Sequence, residues 1–273
     1  MNLTTEQINS FHGDGFLIVK SFFTSQETAK LFKTAVEDDT MSSHSYGVVD
    51  QSGKQSKLAL WFTPGDDIYG LLTKSERMVN GVAALLRDTA PVCHFHSKLM
   101  MKEPKVGGAW EWHQDYGYWY KNQFLFPEQM LSVMVALNQA TIENGCLQVI
   151  KGSHKMGRVN HGFSGEQVGA DQTMVDNCLK MGMELVYVEL EPGDTLFFHS
   201  NILHRSDANL SDKPRWAFIS AYNLQTNKPF NEQSTSCITP ICVVPDSALL
   251  EWQVAGKISE ADFLHKETDV SLK

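Results

Sequence analysis

At 273 residues the chain is long for an ordinary single domain but within reach of one β-rich barrel, and 42% hydrophobic with 20% charged residues exclude a disordered chain. The formal net charge of −9 gives no general attraction for nucleic acid or an anionic membrane, and no apolar run approaches the length of a membrane span. A small molecule is the expected partner. Cys93, Cys146, Cys178, Cys237 and Cys242 are odd in number and contain no CxxC pair, which argues against a disulfide framework or a thiolate zinc site. They fit a reducing cytoplasm, and the polar, mixed-charge opening MNLTTEQINSFHGDGF does not read as a signal peptide.

In chain order, TTEQINSFHGDG predicts a helix begun by a Thr cap and closed at Gly13 or Gly15. FLIVKSF reads as a short strand. TSQETAKLFKTAVEDD follows as a capped amphipathic helix with Leu31, Phe32, Ala35 and Val36 inward, and SERMVNGVAALLRD repeats the spacing through Met78, Val82, Leu85 and Leu86. From residue 91 the texture changes to short β-branched or aromatic runs: VCHFHSKLMMKE, LSVMVALNQA, GCLQVIKG, MELVYVEL, DTLFFHSN and RWAFISAYN. ENGC at 143–146 is an Asn-Gly hairpin signal, and EPGDT at 191–195 a second turn. With no repeat or linker, these elements predict one mainly β domain over 1–273. It would be a jelly-roll, cupin-like core at about 91–225, a helical flank at about 1–90 and a tail at 226–273, with LLEWQVAGKISEADFL helical.

The chemistry concentrates in EWHQDYGYWY, residues 111–120. In an extended chain residues i and i+2 share a face, so His113 and Asp115 can present an imidazole and a carboxylate to one point while Gln114 faces away. Alone, this HxD is weak, because such a pair arises by chance on half-buried strands. GDTLFFHSNILHRSDANLSDKPRW adds two distal histidines, His199 and His204. Either would complete two histidines and one carboxylate, the facial set of non-haem Fe(II) oxygenases, which leaves positions open for a co-substrate and O2. Arg215 begins the next strand, which the SDKP turn is expected to fold back beside the histidine strand. Its guanidinium suits a co-substrate carboxylate.

Together, His113-Gln114-Asp115, ENGCLQVIKGSH (143–154) and PGDTLFFHSNILHRSDANLSDKPRW (192–216) resemble the phytanoyl-CoA dioxygenase family of Fe(II)/2-oxoglutarate oxygenases, over about residues 10–225. The resemblance implies a double-stranded β-helix with iron held by His113, Asp115 and His204. It implies further that Arg215 binds the far carboxylate of 2-oxoglutarate with help from Ser206, and that Lys98 and Met134 line the co-substrate pocket. The eleven-residue spacing to Arg215 favours His204 over His199. The expected reaction is hydroxylation of an unactivated C–H bond, with succinate and CO2 released. Related halogenases lack the carboxylate, so Asp115 favours hydroxylation, or a related desaturation or ring closure.

His94 and His96 form a rival i, i+2 pair with no carboxylate beside them in sequence, and read as sheet residues with one near the pocket. His154 reads as structural. The Gly-rich stretch GRVNHGFSGEQVGADQ (157–172), which carries His161, is equally a lid or a surface excursion. Core packing does not account for three hydroxyls as close as those of Tyr116, Tyr118 and Tyr120, which suit a pocket rim. Tyr118 and Trp119 are the expected substrate contacts. A small metabolite is favoured over an acyl-CoA because no basic site for a CoA phosphate is evident. The rival functions are a cupin-like metalloenzyme without 2-oxoglutarate chemistry and a non-catalytic binding protein on the same barrel.

Overall fold

The computed structural model describes residues 2–164, 166–230, 238–253 and 263–264. Its first part runs α1 (Thr5–Asp14), β1 (Phe16–Val19), α2 (Ser25–Glu37), α3 (Asp39–Ser43), β2 (Tyr46–Val49), β3 (Gln55–Trp61), α4 (Ile68–Lys74) and α5 (Glu76–Leu86). Thr4 and Thr24 close capping boxes with Gln7 and Glu27, and Gly15 ends α1 in the left-handed region at φ +85°. Val36, expected inward, is 57% exposed, because it lies about 140° around the helix from buried Leu31. The flank is also less helical than expected. Beside the helices it holds the β2–β3 hairpin, turned through Gly53 at φ +82°.

The core adds β4 (Val92–Lys102), β5 (Trp110–His113), α6 (Asp115–Trp119), β6 (Met130–Ala136), β7 (Leu147–Ile150), β8 (His161–Ser164), β9 (Gln167–Ala170), α7 (Gln172–Lys180), β10 (Leu185–Val188), β11 (Thr195–His199), β12 (His204–Ser206) and β13 (Arg215–Leu224). β14 (Thr239–Pro240) and α8 (Ala248–Glu251) follow. An antiparallel sheet in the order β1-β11-β6-β13-β4-β3-β2, with β14 on β4, faces a smaller sheet in the order β10-β7-β12-β5. This is the two-sheet jelly roll, open rather than a closed barrel.

Period-2 alternation divides the large sheet between two cores. Val133, Val135, Phe197 and Phe218 point outward and pack with Leu31, Met78, Val82 and Leu85 of the helices. Met134, Ala136, Leu196 and Ile219 point inward and meet Leu147, Val149 and Val188 of the small sheet. β1 pairs with β11 and so covers one edge of the large sheet.

Three connections differ from expectation. The Asn144-Gly145 turn is present, but β6 and β7 belong to different sheets, so it carries the chain across the sandwich instead of closing a hairpin. The Arg215 strand does not lie beside the His204 strand: β13 pairs with β4 and β6 in the large sheet, whereas β12 pairs with β5 and β7 in the small one. The tail helix stops after one turn at Glu251, with Trp252 extended, and Phe263 makes an antiparallel bridge to Trp61. Residues 254–262 of that expected helix lie outside the described residues.

Candidate metal centre and co-substrate cavity

β5 ends at His113, Gln114 is still extended (φ −110°, ψ 135°), and Asp115 opens α6. The stretch is therefore a strand that turns into a helix, and the extended Gln114 alone keeps His113 and Asp115 on one side. Gln114 faces away: its amide nitrogen donates to the Gly157 and Asn201 carbonyls at 2.8 and 2.7 Å, and its oxygen accepts from Val159 N at 2.8 Å. His204 sits directly opposite His113 across the β12–β5 pair.

Asp115 Oδ1 lies 3.9 Å from His113 Nε2 and 3.8 Å from His204 Nε2. Among the described residues these three form the single cluster whose donor atoms a metal ion could bridge. The tautomers follow from the hydrogen bonds. His113 Nδ1 is 2.7 Å from the Glu111 carbonyl and His204 Nδ1 3.0 Å from the Ile202 carbonyl. A carbonyl oxygen only accepts, so each Nδ1 carries the proton and each Nε2 presents its lone pair to Asp115. Ser132 Oγ donates to Asp115 Oδ2 at 2.6 Å, which orients the carboxylate and leaves Oδ1 facing the two imidazoles and Lys98.

The electrostatics suit a cation. Burial, then the neighbouring His204, pushes His113 well below the ordinary imidazole range, and burial lowers His204 as well. Burial alone would raise Asp115, but Lys98 and the two imidazoles outweigh it and hold the carboxyl ionised. Two neutral imidazoles and one carboxylate are the ligand forms a divalent metal requires. The donor set fits Fe(II).

The nine residues assigned from the sequence to metal, co-substrate or substrate line one cavity of about 240 Å³: Lys98, His113, Asp115, Tyr118, Trp119, Met134, His204, Ser206 and Arg215. Lys98 and Met134 flank Ile219 in one cross-strand row of the large sheet. Lys98 Nζ is 3.9 Å from Asp115 Oδ1. Arg215 reaches the cavity from the sheet opposite Ser206. Its Nε and Nη2 donate to the Gly145 carbonyl at 3.1 and 2.8 Å, and among the described residues no carboxylate pairs with it. Burial lowers the guanidinium to about 10, which leaves it charged at neutral pH and suited to an incoming carboxylate.

His199 points away from the cavity, because inward Phe198 precedes it; its Nδ1 accepts from Asn201 N at 3.0 Å. His94 is bound to Ser97 Oγ at 2.8 Å, while a register shift between the two histidines' partners leaves His96 lining the cavity. His154 Nε2 meets the His12 carbonyl at 3.2 Å, a structural contact. The three tyrosines part company. Tyr118 lines the cavity and donates to the Val168 carbonyl, Tyr116 donates to the Phe124 carbonyl in the core, and Tyr120 lies under Arg158 at the surface. Trp119 is 4% exposed and packs on Phe95 and His96, so only part of its ring faces the cavity.

The 157–172 stretch forms the β8–β9 hairpin, whose Gln167 and Val168 line the cavity, while His161 Nε2 accepts from Gln114 N at 2.9 Å. Sequence reasoning missed the opposite wall, built by Tyr46, Val48, Leu58, Leu60 and Phe62 on and just after the β2–β3 hairpin. It also missed Lys102, whose Nζ reaches Ser206.

Comparison with known proteins agrees with this geometry. The sequence pattern of the family described as Phytanoyl-CoA dioxygenase (PhyH) matches residues 11–217. A phytanoyl-CoA dioxygenase from Arabidopsis thaliana is 26% identical over 256 residues, covering 80% of this chain and 87% of that protein. An ectoine dioxygenase from Bordetella parapertussis is 22% identical over 238 residues, covering 82% and 77%. In fold, the chain is similar to EctD from S. alaskensis, solved with 2-oxoglutarate and 5-hydroxyectoine (TM-score 0.67, 21% identity, 89% and 88% covered). It is similar too to the epimerase SnoN, solved with Fe3+, alpha ketoglutarate and nogalamycin RO (TM-score 0.67, 19% identity, 88% and 95% covered). With the family pattern spanning most of its length, the chain belongs to the phytanoyl-CoA dioxygenase family of Fe(II)- and 2-oxoglutarate-dependent dioxygenases.

Proposed function

We propose that this enzyme hydroxylates an unactivated C–H bond of a small-molecule metabolite: R–H, 2-oxoglutarate and O2 give R–OH, succinate and CO2. The observation that carries the reading is the convergence, in one buried cavity, of two imidazole lone pairs, one carboxylate oxygen facing them and a guanidinium that has no carboxylate partner among the described residues.

In this reading His113, Asp115 and His204 would hold Fe(II) at the cavity. When bound, iron with 2-oxoglutarate and O2 supplies the oxidising chemistry. The chain's own residues bind, orient and exclude water. Ser132 fixes the Asp115 carboxylate, and the Glu111 and Ile202 carbonyls fix the two imidazoles. Arg215, with Ser206, takes the far carboxylate of 2-oxoglutarate, and Lys98 and Met134 flank it. Tyr118 and Trp119, with the Leu58–Phe62 wall, face the substrate. That wall is apolar and aromatic, which supports a hydrocarbon face presented to the iron; the small cavity and the net charge of −9 support a metabolite over an acyl-CoA.

Residues 1–273 are taken as one oxygenase domain, because the flanking helices pack on the outer face of the sheet whose inner face builds the cavity. Free Cys93, Cys146, Cys178 and Cys242 support a reducing compartment, the cytoplasm. Among the described residues no helix is long and apolar enough to cross a membrane.

The test is succinate formation from 2-oxoglutarate under air, with and without Fe(II), in the wild type and in His113→Ala and Asp115→Ala. Each variant is expected to lose about a hundredfold or more of turnover. Unchanged turnover contradicts the metal assignment. Turnover independent of 2-oxoglutarate, with Arg215→Ala silent, identifies instead a cupin-like metalloenzyme. Product analysis separates hydroxylation from desaturation or ring closure.

A further inference from the structure

Ser206 is read above as a partner of the co-substrate's far carboxylate, yet its hydroxyl already has a neighbour. Lys102, the last residue of β4, is 1% exposed, and its Nζ donates to Ser206 Oγ at 2.8 Å and to the Asp207 carbonyl at 2.5 Å. It does not line the cavity itself; Ser206 does. Its stem runs past Gly107, where a Cβ would come within 2.3 Å of Lys102 Cγ and 2.9 Å of the Glu103 carbonyl oxygen, so a glycine there makes room for the buried side chain.

Lys102 is also the register partner of Arg215 across the β13–β4 pair. Two basic side chains therefore sit side by side in the interior, and among the described residues neither has an ion-paired carboxylate; their contacts are the Gly145 and Asp207 carbonyls and the Ser206 hydroxyl. Burying unpaired cations is costly, and burial followed by the nearby Arg215 pushes the Lys102 ammonium well below its ordinary range. An anion arriving beside Ser206 and Arg215 offsets that cost.

The chemistry of the Lys102–Ser206 contact sets its direction. The Asp207 carbonyl only accepts, so Nζ donates there, and in the cationic form that an anion beside Arg215 favours it has three protons and no lone pair. Ser206 Oγ must accept from it, and its own O–H stays available for an acceptor on the cavity side. We propose that Lys102 is a positioning residue for the co-substrate: it holds Ser206 as a hydrogen-bond donor toward the far carboxylate and, with Arg215, makes this corner of the cavity doubly cationic. The proposal rests on the reading that Arg215 and Ser206 hold 2-oxoglutarate.

The test is anaerobic calorimetry of 2-oxoglutarate binding to the Mn(II)-loaded enzyme. Wild type is compared with Lys102→Met, Ser206→Ala, the double variant and Arg215→Met, and Mn(II) binding alone is measured in each. Lys102→Met is expected to weaken 2-oxoglutarate about tenfold, the size of one hydrogen bond to a charged group, while Mn(II) affinity stays within about twofold. The double variant is expected to be little worse than the weaker single variant, because the two residues act as one unit. Unchanged 2-oxoglutarate affinity in Lys102→Met, or losses that multiply in the double variant, overturns the proposal. An equal loss of Mn(II) affinity does so too, since it marks a merely structural lysine. Should the methionine variant fail to fold, Lys102→Leu, which likewise removes both the charge and the donor, carries the same expectations. If Arg215→Met also leaves 2-oxoglutarate binding intact, the co-substrate reading itself fails; if only Lys102→Met is silent, that reading stands and this proposal falls.

Discussion

The inner part of the cavity and its outer wall are built in opposite ways. Inside, Asp115, Met134, His204, Ser206 and Arg215 are each less than 5% exposed, and they stand on strands paired on both sides or, for Asp115, on the helix that follows the edge strand β5. Polar atoms there have defined partners: Ser132 on Asp115, the Ile202 carbonyl on His204 and the Gly145 carbonyl on Arg215. The outer wall comes from two hairpins, β2–β3 and β8–β9, of which β2 is the last strand of the large sheet and Glu166 is exposed. The metal and co-substrate chemistry sits where burial and hydrogen bonds hold the polar groups in place. On the proposed reading, the substrate meets elements with fewer constraints.

This contrast can be broken from either side. The largest effect is expected on the inner side, where His113→Ala or Asp115→Ala removes a metal ligand and succinate formation falls by about a hundredfold or more. Arg215→Met is expected to raise the KM for 2-oxoglutarate by up to about a hundredfold in steady-state assays, as befits a buried charge-assisted contact. Ser132→Ala leaves the ligands in place but frees the Asp115 carboxylate, and Mn(II) titration is expected to show about a tenfold weaker site. On the outer wall, Leu60→Ala is expected to change the substrate's KM severalfold while 2-oxoglutarate affinity stays within about twofold. A large loss of co-substrate affinity in Leu60→Ala would show that the two regions are not separable.

Legibility in the sequence follows the same division. The strands of the inner part are apolar, β-branched runs bounded by turn residues, so their period-2 pattern was readable, and with it the pairing of His113 with Asp115. What local pattern does not encode is the sheet to which a strand belongs. Hence Arg215 stands across the sandwich from Ser206 rather than beside the His204 strand, and the Asn144-Gly145 turn links two sheets. The β2–β3 hairpin was lost among helices because YGVV and QSKLALW are short and interrupted by glycine and lysine, although the Ser-Gly at 52–53 was a usable turn signal. Lys102 closes an apolar strand at MMKE, where a lysine ordinarily marks solvent. Only the approach of Gly107 and the Asp207 carbonyl makes it an interior residue.

The central claim is that His113, Asp115 and His204 form an iron site at which a 2-oxo acid chelates. It is tested most directly by anaerobic titration of 2-oxoglutarate into the Fe(II)-loaded enzyme, following the visible absorbance that a 2-oxo acid bound to Fe(II) produces. The predicted result is a saturating band of one equivalent per chain that is absent in His113→Ala and His204→Ala. No band in the wild type, or a band that survives in both histidine variants, would contradict the account.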